Sequence, residues 1–267
     1  CPSFKGRHMA EAHGLLTLQF HPDWPHSGRT VIDSMAADGV YRSQFATGTS
    51  NGGLTAFPGG DRWRWESRLF SGKYDHADPA ERPVYGAWNR HHDPYGGAAR
   101  FGSAFATLRV AVSERTTFCF PDSVLEPTDF GGPDSLPHLC SLADAAGLDY
   151  LDDHVEAHVH GPVRFAADVE AVVLDPVFRG SPIEASAATL GCDVTFHPGF
   201  RVRTHALDPA YRGSDVVELA RSLGDVLTPD LIGRAARSGE HDPQSLKRVW
   251  HCLARYGRRA GPDSRLL

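Results

Sequence analysis

Residues 151–163 read Leu151-Asp152-Asp153-His154-Val155-Glu156-Ala157-His158-Val159-His160-Gly161-Pro162-Val163. Side chains alternate between the two faces of a strand. Val155, Ala157 and Val159 therefore point one way, and His154, Glu156, His158 and His160 the other. A core needs only the first face. The second sets one carboxylate in a row of imidazoles, and a buried charge requires partners. Two chemistries fit: a strand carrying one essential glutamate, or a metal strand in which His158, His160 and Glu156 serve a hydrolase or nuclease. The first is preferred, because neither a His-Glu-x-x-His motif nor an aspartate-rich partner accompanies the row. The remaining histidines, among them His91, His92, His197 and His251, are scattered.

Outward from that strand, the periodicities predict strands at 15–20, 40–45, 101–112, 115–120, 169–174 and 194–196. They predict helices at 30–38, 139–146, 183–190, 214–223, 228–237 and 243–256. Thr228-Pro229 and Asp242-Pro243 are helix starts, a cap residue followed by proline. Residues 46–62 and 121–137 read as long loops and 75–99 as irregular. The expected class is α+β: a mainly antiparallel sheet core over 10–199, with a helical extension over 200–267 packed on it.

The chain has 267 residues, 41% of them hydrophobic, enough to bury a sizeable core. No apolar run approaches the length of a membrane span, and no secretory signal is evident. The expectation is a cytoplasmic protein, or one delivered into a target cell's cytoplasm, with no membrane contact. Residues 1–9 read as a vector-derived or disordered segment. The net charge of −6 argues against a general nucleic-acid binder. Of the 27 basic residues 24 are arginine, which suits phosphate recognition, although coding bias explains the ratio equally. The five cysteines form no CxxC pair, so reduced thiols rather than a zinc site are expected.

Three further segments carry candidate chemistry. Arg42 stands in Val40-Tyr41-Arg42-Ser43-Gln44-Phe45 and leads into Thr47-Gly48-Thr49-Ser50-Asn51-Gly52-Gly53. Arginine followed by a loop of small residues makes a pyrophosphate clamp; the plainer alternative is an arginine paired to a structural carboxylate. Arg62-Trp63-Arg64-Trp65 either stacks on a base or nicotinamide ring or packs its tryptophans in the core. Thr116 and Thr117 either hold a neighbouring carboxylate or simply suit an edge strand.

These segments together resemble a bacterial family known by a domain-of-unknown-function label. The resemblance runs through Gly39–Phe45, Ser50-Asn51-Gly52-Gly53, Gly59-Gly60-Asp61-Arg62-Trp63-Arg64-Trp65, Arg82-Pro83-Val84-Tyr85-Gly86, Arg100-Phe101-Gly102-Ser103, Arg115-Thr116-Thr117-Phe118, Glu156–Pro162 and Lys247–Cys252. The same landmarks resemble polymorphic-toxin members of the ADP-ribosyltransferase superfamily. That resemblance implies two packed, mainly antiparallel sheets and NAD as co-substrate. It implies an NAD-binding arginine on an early strand (Arg42), a hydroxyl-bearing central strand (Ser103, or preferably Thr116 and Thr117) and a catalytic glutamate on a later one (Glu156). Ser43, Gln44, Ser50, Asn51 and Gly52 would join the NAD site, with Trp65 or Tyr85 stacking on the nicotinamide. The implied activity is transfer of ADP-ribose to a macromolecular acceptor, protein or nucleic acid, with an immunity protein as a further partner. Plain NAD glycohydrolysis and a non-enzymatic interaction domain are the alternatives. The chain departs from the pattern twice: His154 stands where a Glu-x-Glu pair would have its first acid, and Ala46 where an acid is expected.

One carboxylate suffices for that chemistry. Glycosidic cleavage through an oxocarbenium-like state usually takes two carboxyl groups, one of them protonating the leaving oxygen. Nicotinamide leaves NAD⁺ from a positively charged nitrogen and needs no acid. What remains is to stabilise the ribosyl cation and orient its 2′-OH.

Overall fold

In the computed structural model, which describes residues 15–48 and 56–259, the histidine-rich stretch forms a strand over Val155–Val159. It belongs to an eight-stranded sheet made of β1 (Leu16–Phe20), β2 (Val84–Trp88), β3 (Ala104–Leu108), β4 (Thr116–Phe120), β5 (Asp129–Gly131), β6 (Val155–Val159), β7 (Val169–Leu174) and β8 (Asp193–Phe196). The spatial order is β8-β7-β3-β1-β2-β6-β4-β5. Only β7 and β8 run parallel. The protein is thus mixed α/β with one large, mainly antiparallel sheet. The expected pair of packed sheets is instead this single sheet, with three two-stranded ribbons among the described residues.

Register gives the sheet two unlike faces. Leu18 sits beside Ala106, Ala106 beside Val172, and Phe118 beside Ala157. These residues join the larger core with α1 (Val31–Asp38), α3 (Leu136–Ala146) and the turn of helix Pro182–Ala187. Burying each such aliphatic or aromatic side chain contributes about 1.5–3 kcal/mol. The opposite face carries Thr17, Tyr85, Thr117, Cys119, Glu156 and His158, with Tyr85 beside His158 and Cys119 beside Glu156.

That polar face is covered by α2 (Asp61–Leu69) and, further along, by the C-terminal helices α4 (Ser214–Leu223), α5 (Pro229–Ser238) and α6 (Pro243–Tyr256). Helix α2 buries Arg62, Trp65 and Glu66, the i, i+3, i+4 spacing of one helical stripe. The C-terminal helices build a second core with Tyr95, Ala99, Leu151 and Phe200. Trp250 of α6 donates its indole N–H to the carbonyls of Ala99 and Arg100, both at 3.1 Å. Among the described residues no helix is long and apolar enough to cross a membrane.

Three sequence expectations are corrected. The strand expected at 40–45 stops at Tyr41, because the Ser43 hydroxyl accepts the Ala46 N–H at 3.2 Å and starts a helical turn, Gln44–Thr47. The strand expected over 101–112 is confined to Ala104–Leu108, between two 3₁₀ turns. The irregular segment 75–99 contributes β2, which lies in the middle of the sheet. Its Gly86 hid it: glycine weakens a strand signal. Here it is required, since a Cβ at that position would lie 2.4 Å from the Thr17 carbonyl oxygen.

Candidate active site

A cavity of about 250 Å³ opens where the end of β1 and the first half of β2 meet α1, α2 and the turn at 98–101. Glu156 and Arg42 both line it. So do Tyr85, Gln44, His21, Trp24, Arg62, Arg100, Phe101 and Asp122.

Glu156 is buried. One carboxyl oxygen lies 3.0 Å from His158 Nε2, and the other accepts from the Ser123 hydroxyl at 3.2 Å. Burial, aided by the nearby Asp122 charge, pushes its pKa up to about 8 against the pull of Arg62, His154 and Ser123. Burial also pushes Asp122 upward, but the His154 hydrogen bond and charge, the Val124 N–H and Arg100 outweigh it and hold Asp122 well below the usual carboxylate range. His154 Nε2 lies 3.3 Å from the Asp122 carboxylate.

A hydrogen-bonded chain leads away from Glu156. His158 Nδ1 lies 3.2 Å from the Thr117 hydroxyl, which lies 2.9 Å from His160 Nε2, whose Nδ1 lies 2.6 Å from the Tyr74 hydroxyl. Burial pushes His158 down to about 3 and His160 to about 4, so both rings are neutral at physiological pH. A neutral imidazole offers one donor and one acceptor. When Glu156 is protonated it donates to His158 Nε2, and Nδ1–H donates to Thr117. When Glu156 ionises the tautomer reverses, Nε2–H donates to the carboxylate, and Thr117 donates to Nδ1.

The remaining candidates divide by position. Arg42 sits on the exposed rim, its guanidinium 2.7 Å from Asp38, rather than inside a strand. Ser43 is buried and donates to the Pro79 carbonyl at 2.5 Å, in addition to its capping bond. Gln44 lines the cavity with its side-chain carbonyl oxygen unpartnered among the described residues. Ser50, Asn51 and Gly52 lie outside the described residues. Tyr85 lines the cavity, donates to Glu66 at 2.9 Å and carries the Arg62 guanidinium 4.1 Å above its ring. Trp65 lies behind Tyr85, against His158 at 5.1 Å, and is not among the described lining residues. Thr116 faces the apolar side and donates to the Val112 carbonyl at 2.8 Å. Thr117 shares the Glu156 face but holds His158 and His160 rather than the carboxylate. Ser103 is buried away from the cavity, its carbonyl 2.9 Å from His197 Nε2.

Sequence reasoning missed His21, Asp122 and Arg100. His21 sits at the exit of β1 and stacks on Trp24 with centroids 4.3 Å apart. Its signal is the His21-Pro22 step that ends β1, on the face that also carries Thr17 and Gln19. Asp122 follows β4 in a segment taken as loop, and nothing in the local pattern marks it.

Among the described residues two donor groups could hold a metal ion. Asp122, His154 and Glu156 bring ligand atoms within 4.8 Å of one another, as do Cys119, Glu156 and His158. In the second group burial and the Glu156 and Asp122 charges push the Cys119 thiol far up, which disfavours a thiolate ligand. The trio expected from sequence, His158, His160 and Glu156, has its imidazole nitrogens engaged in the chain that ends at Tyr74.

No curated protein matches this chain. A family model described as "Protein of unknown function (DUF3626)" matches residues 15–142 and 135–256. Together these segments span nearly all of the described residues, and the chain belongs to that family.

Proposed function

We propose that the chain is an NAD-dependent ADP-ribosyltransferase that breaks the nicotinamide glycosidic bond beside Glu156. The observation that carries this reading is that Glu156, arginines remote from it in sequence (Arg42, Arg62 and Arg100) and aromatic rings line one cavity. The adjacency of the hydroxyl-bearing β4 to the glutamate strand β6 supports kinship with the ADP-ribosyltransferase architecture. NAD⁺ would lie with its nicotinamide riboside toward Glu156. The positive charge of the nicotinamide ring favours the carboxylate form of Glu156, which otherwise keeps its proton at neutral pH. The C1′–N bond breaks with its electron pair going to the nicotinamide nitrogen. Glu156 stabilises the ribosyl cation and accepts a hydrogen bond from the 2′-OH. An acceptor nucleophile then bonds to C1′ and releases its proton. With a macromolecular nucleophile the product is an ADP-ribosylated protein or nucleic acid; with water it is ADP-ribose. A toxin or effector role, with an immunity partner, rests on the sequence resemblance alone.

A second reading is favoured by the Asp122, His154 and Glu156 trio: a metal-dependent hydrolase acting in the same cavity. One experiment separates the two. Isotopically labelled NAD⁺ is incubated with a cell lysate and either wild type or Glu156→Gln, with and without chelator. Label passing to a discrete species with wild type only, regardless of chelator, upholds the transferase. Free nicotinamide without transfer identifies a glycohydrolase. No NAD⁺ consumption under any condition sinks the NAD reading.

A further inference from the structure

Four cations converge where the C-terminal helices meet the cavity. Arg62 and Arg100 line the cavity itself. Lys247 and Arg212 come from the helical layer. Helix α6 packs against both the 209–212 turn and the 99–101 turn. Lys247, Trp250 and His251 share one face of α6, at the i, i+3, i+4 spacing. Trp250 fixes that face, bonding the Arg100 carbonyl at 3.1 Å and meeting His21 edge-on at 4.9 Å.

Several donors of these cations lack an acceptor among the described residues. Arg62 is only 3% exposed, yet its Nε and Nη1 have no acceptor among the described residues. Arg100 and Arg212 each bury an Nε without an acceptor among the described residues. Among the described residues Arg212 donates to the Tyr211 hydroxyl, at 3.2 Å. Of the nearby carboxylates, Asp152 pairs with Arg100 and Asp122 with His154, the Asp122 charge also favours Arg100 and Lys247, and Glu66 and Glu156 feel Arg62; none of them bonds the Arg62 or Arg212 Nε. Burial and then Arg100 and Arg212 press Lys247 down to about 8. Burial and the same cations press His251 to about 2, and neither of its ring nitrogens has a partner. Like charges packed together with little access to water destabilise a fold unless an anion joins them. The guanidinium planes are already held, Arg62 over Tyr85 at 4.1 Å and Arg212 over Tyr211 at 4.5 Å, so their N–H edges are oriented for a bidentate acceptor.

We propose that Arg62, Arg100, Arg212 and Lys247 form a phosphoryl-binding subsite, completed over the cavity by the C-terminal helices, and that a diphosphate group is held there rather than at Arg42. That the diphosphate belongs to a dinucleotide rests on the NAD reading; the anion site itself does not. Arg42 already spends its guanidinium on Asp38 at the exposed rim, where a further anion gains little.

The test titrates inorganic pyrophosphate into the full chain by calorimetry, with wild type, Lys247→Met, Arg62→Gln and Arg42→Gln. Lys247→Met and Arg62→Gln are expected to weaken binding at least tenfold, and Arg42→Gln less than twofold. Thermal melting without anion gives an independent readout. Lys247→Met and Arg62→Gln should both melt higher than wild type, since removing one of several crowded cations relieves repulsion, whereas loss of a merely structural residue lowers the melting temperature. Failure of pyrophosphate to bind overturns the proposal, as does weakening by Arg42→Gln without weakening by Lys247→Met. Competition with ADP-ribose separates the two readings. If ADP-ribose displaces pyrophosphate, both stand; if pyrophosphate binds and ADP-ribose does not displace it, the subsite stands and the NAD reading falls.

Discussion

Asp122 and Glu156 bring carboxyl oxygens within 4.8 Å of one another around His154, yet they hold their protons differently. Asp122 stays ionised because His154, Val124 N–H and Arg100 outweigh its burial. Glu156 is buried more deeply and feels the Asp122 charge, so it keeps a proton up to about pH 8. Two neighbouring carboxyl groups with separated pKa values can take different roles in one reaction.

Glu156→Gln keeps the size and most hydrogen bonds of the side chain but can never become an anion. Loss of one preorganised transition-state stabiliser typically costs about 2.7–4 kcal/mol. Nicotinamide release is therefore expected to fall on the order of a hundredfold or more, with an unchanged circular dichroism spectrum. Undiminished release would remove Glu156 from the chemistry.

The pH profile follows from the same pair. In the proposed chemistry the carboxylate form of Glu156 acts, so kcat/KM for NAD⁺ should rise with pH, with its midpoint near 8, the pKa of the free protein, and level off above it. Asp122→Asn removes a charge that raises that pKa, so its profile should level off at lower pH. Identical midpoints for wild type and Asp122→Asn would show that another group controls the rise.

Stability should weaken on the acid side. Burial is the leading cause that lowers His21 and His158 to about 3, His160 and His197 to about 4, and His251 to about 2, against 6.5 in the unfolded chain. Groups depressed in this way contribute stability that is fully present above pH 6.5 and lost as pH falls. Burial raises Asp23 and Asp175 to about 6 and Glu156 to about 8, which acts in the opposite sense, losing stability as pH rises. The histidines outnumber the carboxyl groups, so the net change between pH 6 and pH 5 is a loss of about 2–3 kcal/mol, at roughly 1.4 kcal/mol per proton and pH unit. Urea midpoints measured at both values check this; equal midpoints would contradict it.

Arg82 and Glu66 form a buried ion pair at 2.7 Å, and Arg82 also donates to the Tyr74 carbonyl at 2.5 Å. Glu66 in turn accepts from Tyr85. Arg82→Leu leaves Glu66 buried without its cation, and a broken buried pair costs about 3–5 kcal/mol. Because Glu66 and Arg62 share the buried stripe of α2, pyrophosphate binding should weaken as well. The double variant Arg82→Leu with Glu66→Leu should recover much of the stability in chemical unfolding. No recovery would mean that the loss arises from packing alone.

What the chain alone decided was local. Alternation at 154–160 fixed which side chains of β6 share a face, and the caps at Gly39 and Asp242 fixed the end of α1 and the start of α6. The Glu156 face was legible for that reason. Position in the sheet was not. β2 carries no alternating signal because Gly86 must admit the Thr17 carbonyl, so Tyr85 entered the polar face only through pairing with β1 and β6. Asp122, Arg100, Arg62 and His21 come from segments far apart in the chain, and only long-range packing sets them around one cavity. Burial, which separates the proton affinities of Asp122 and Glu156, is likewise a property of what the rest of the fold excludes from water.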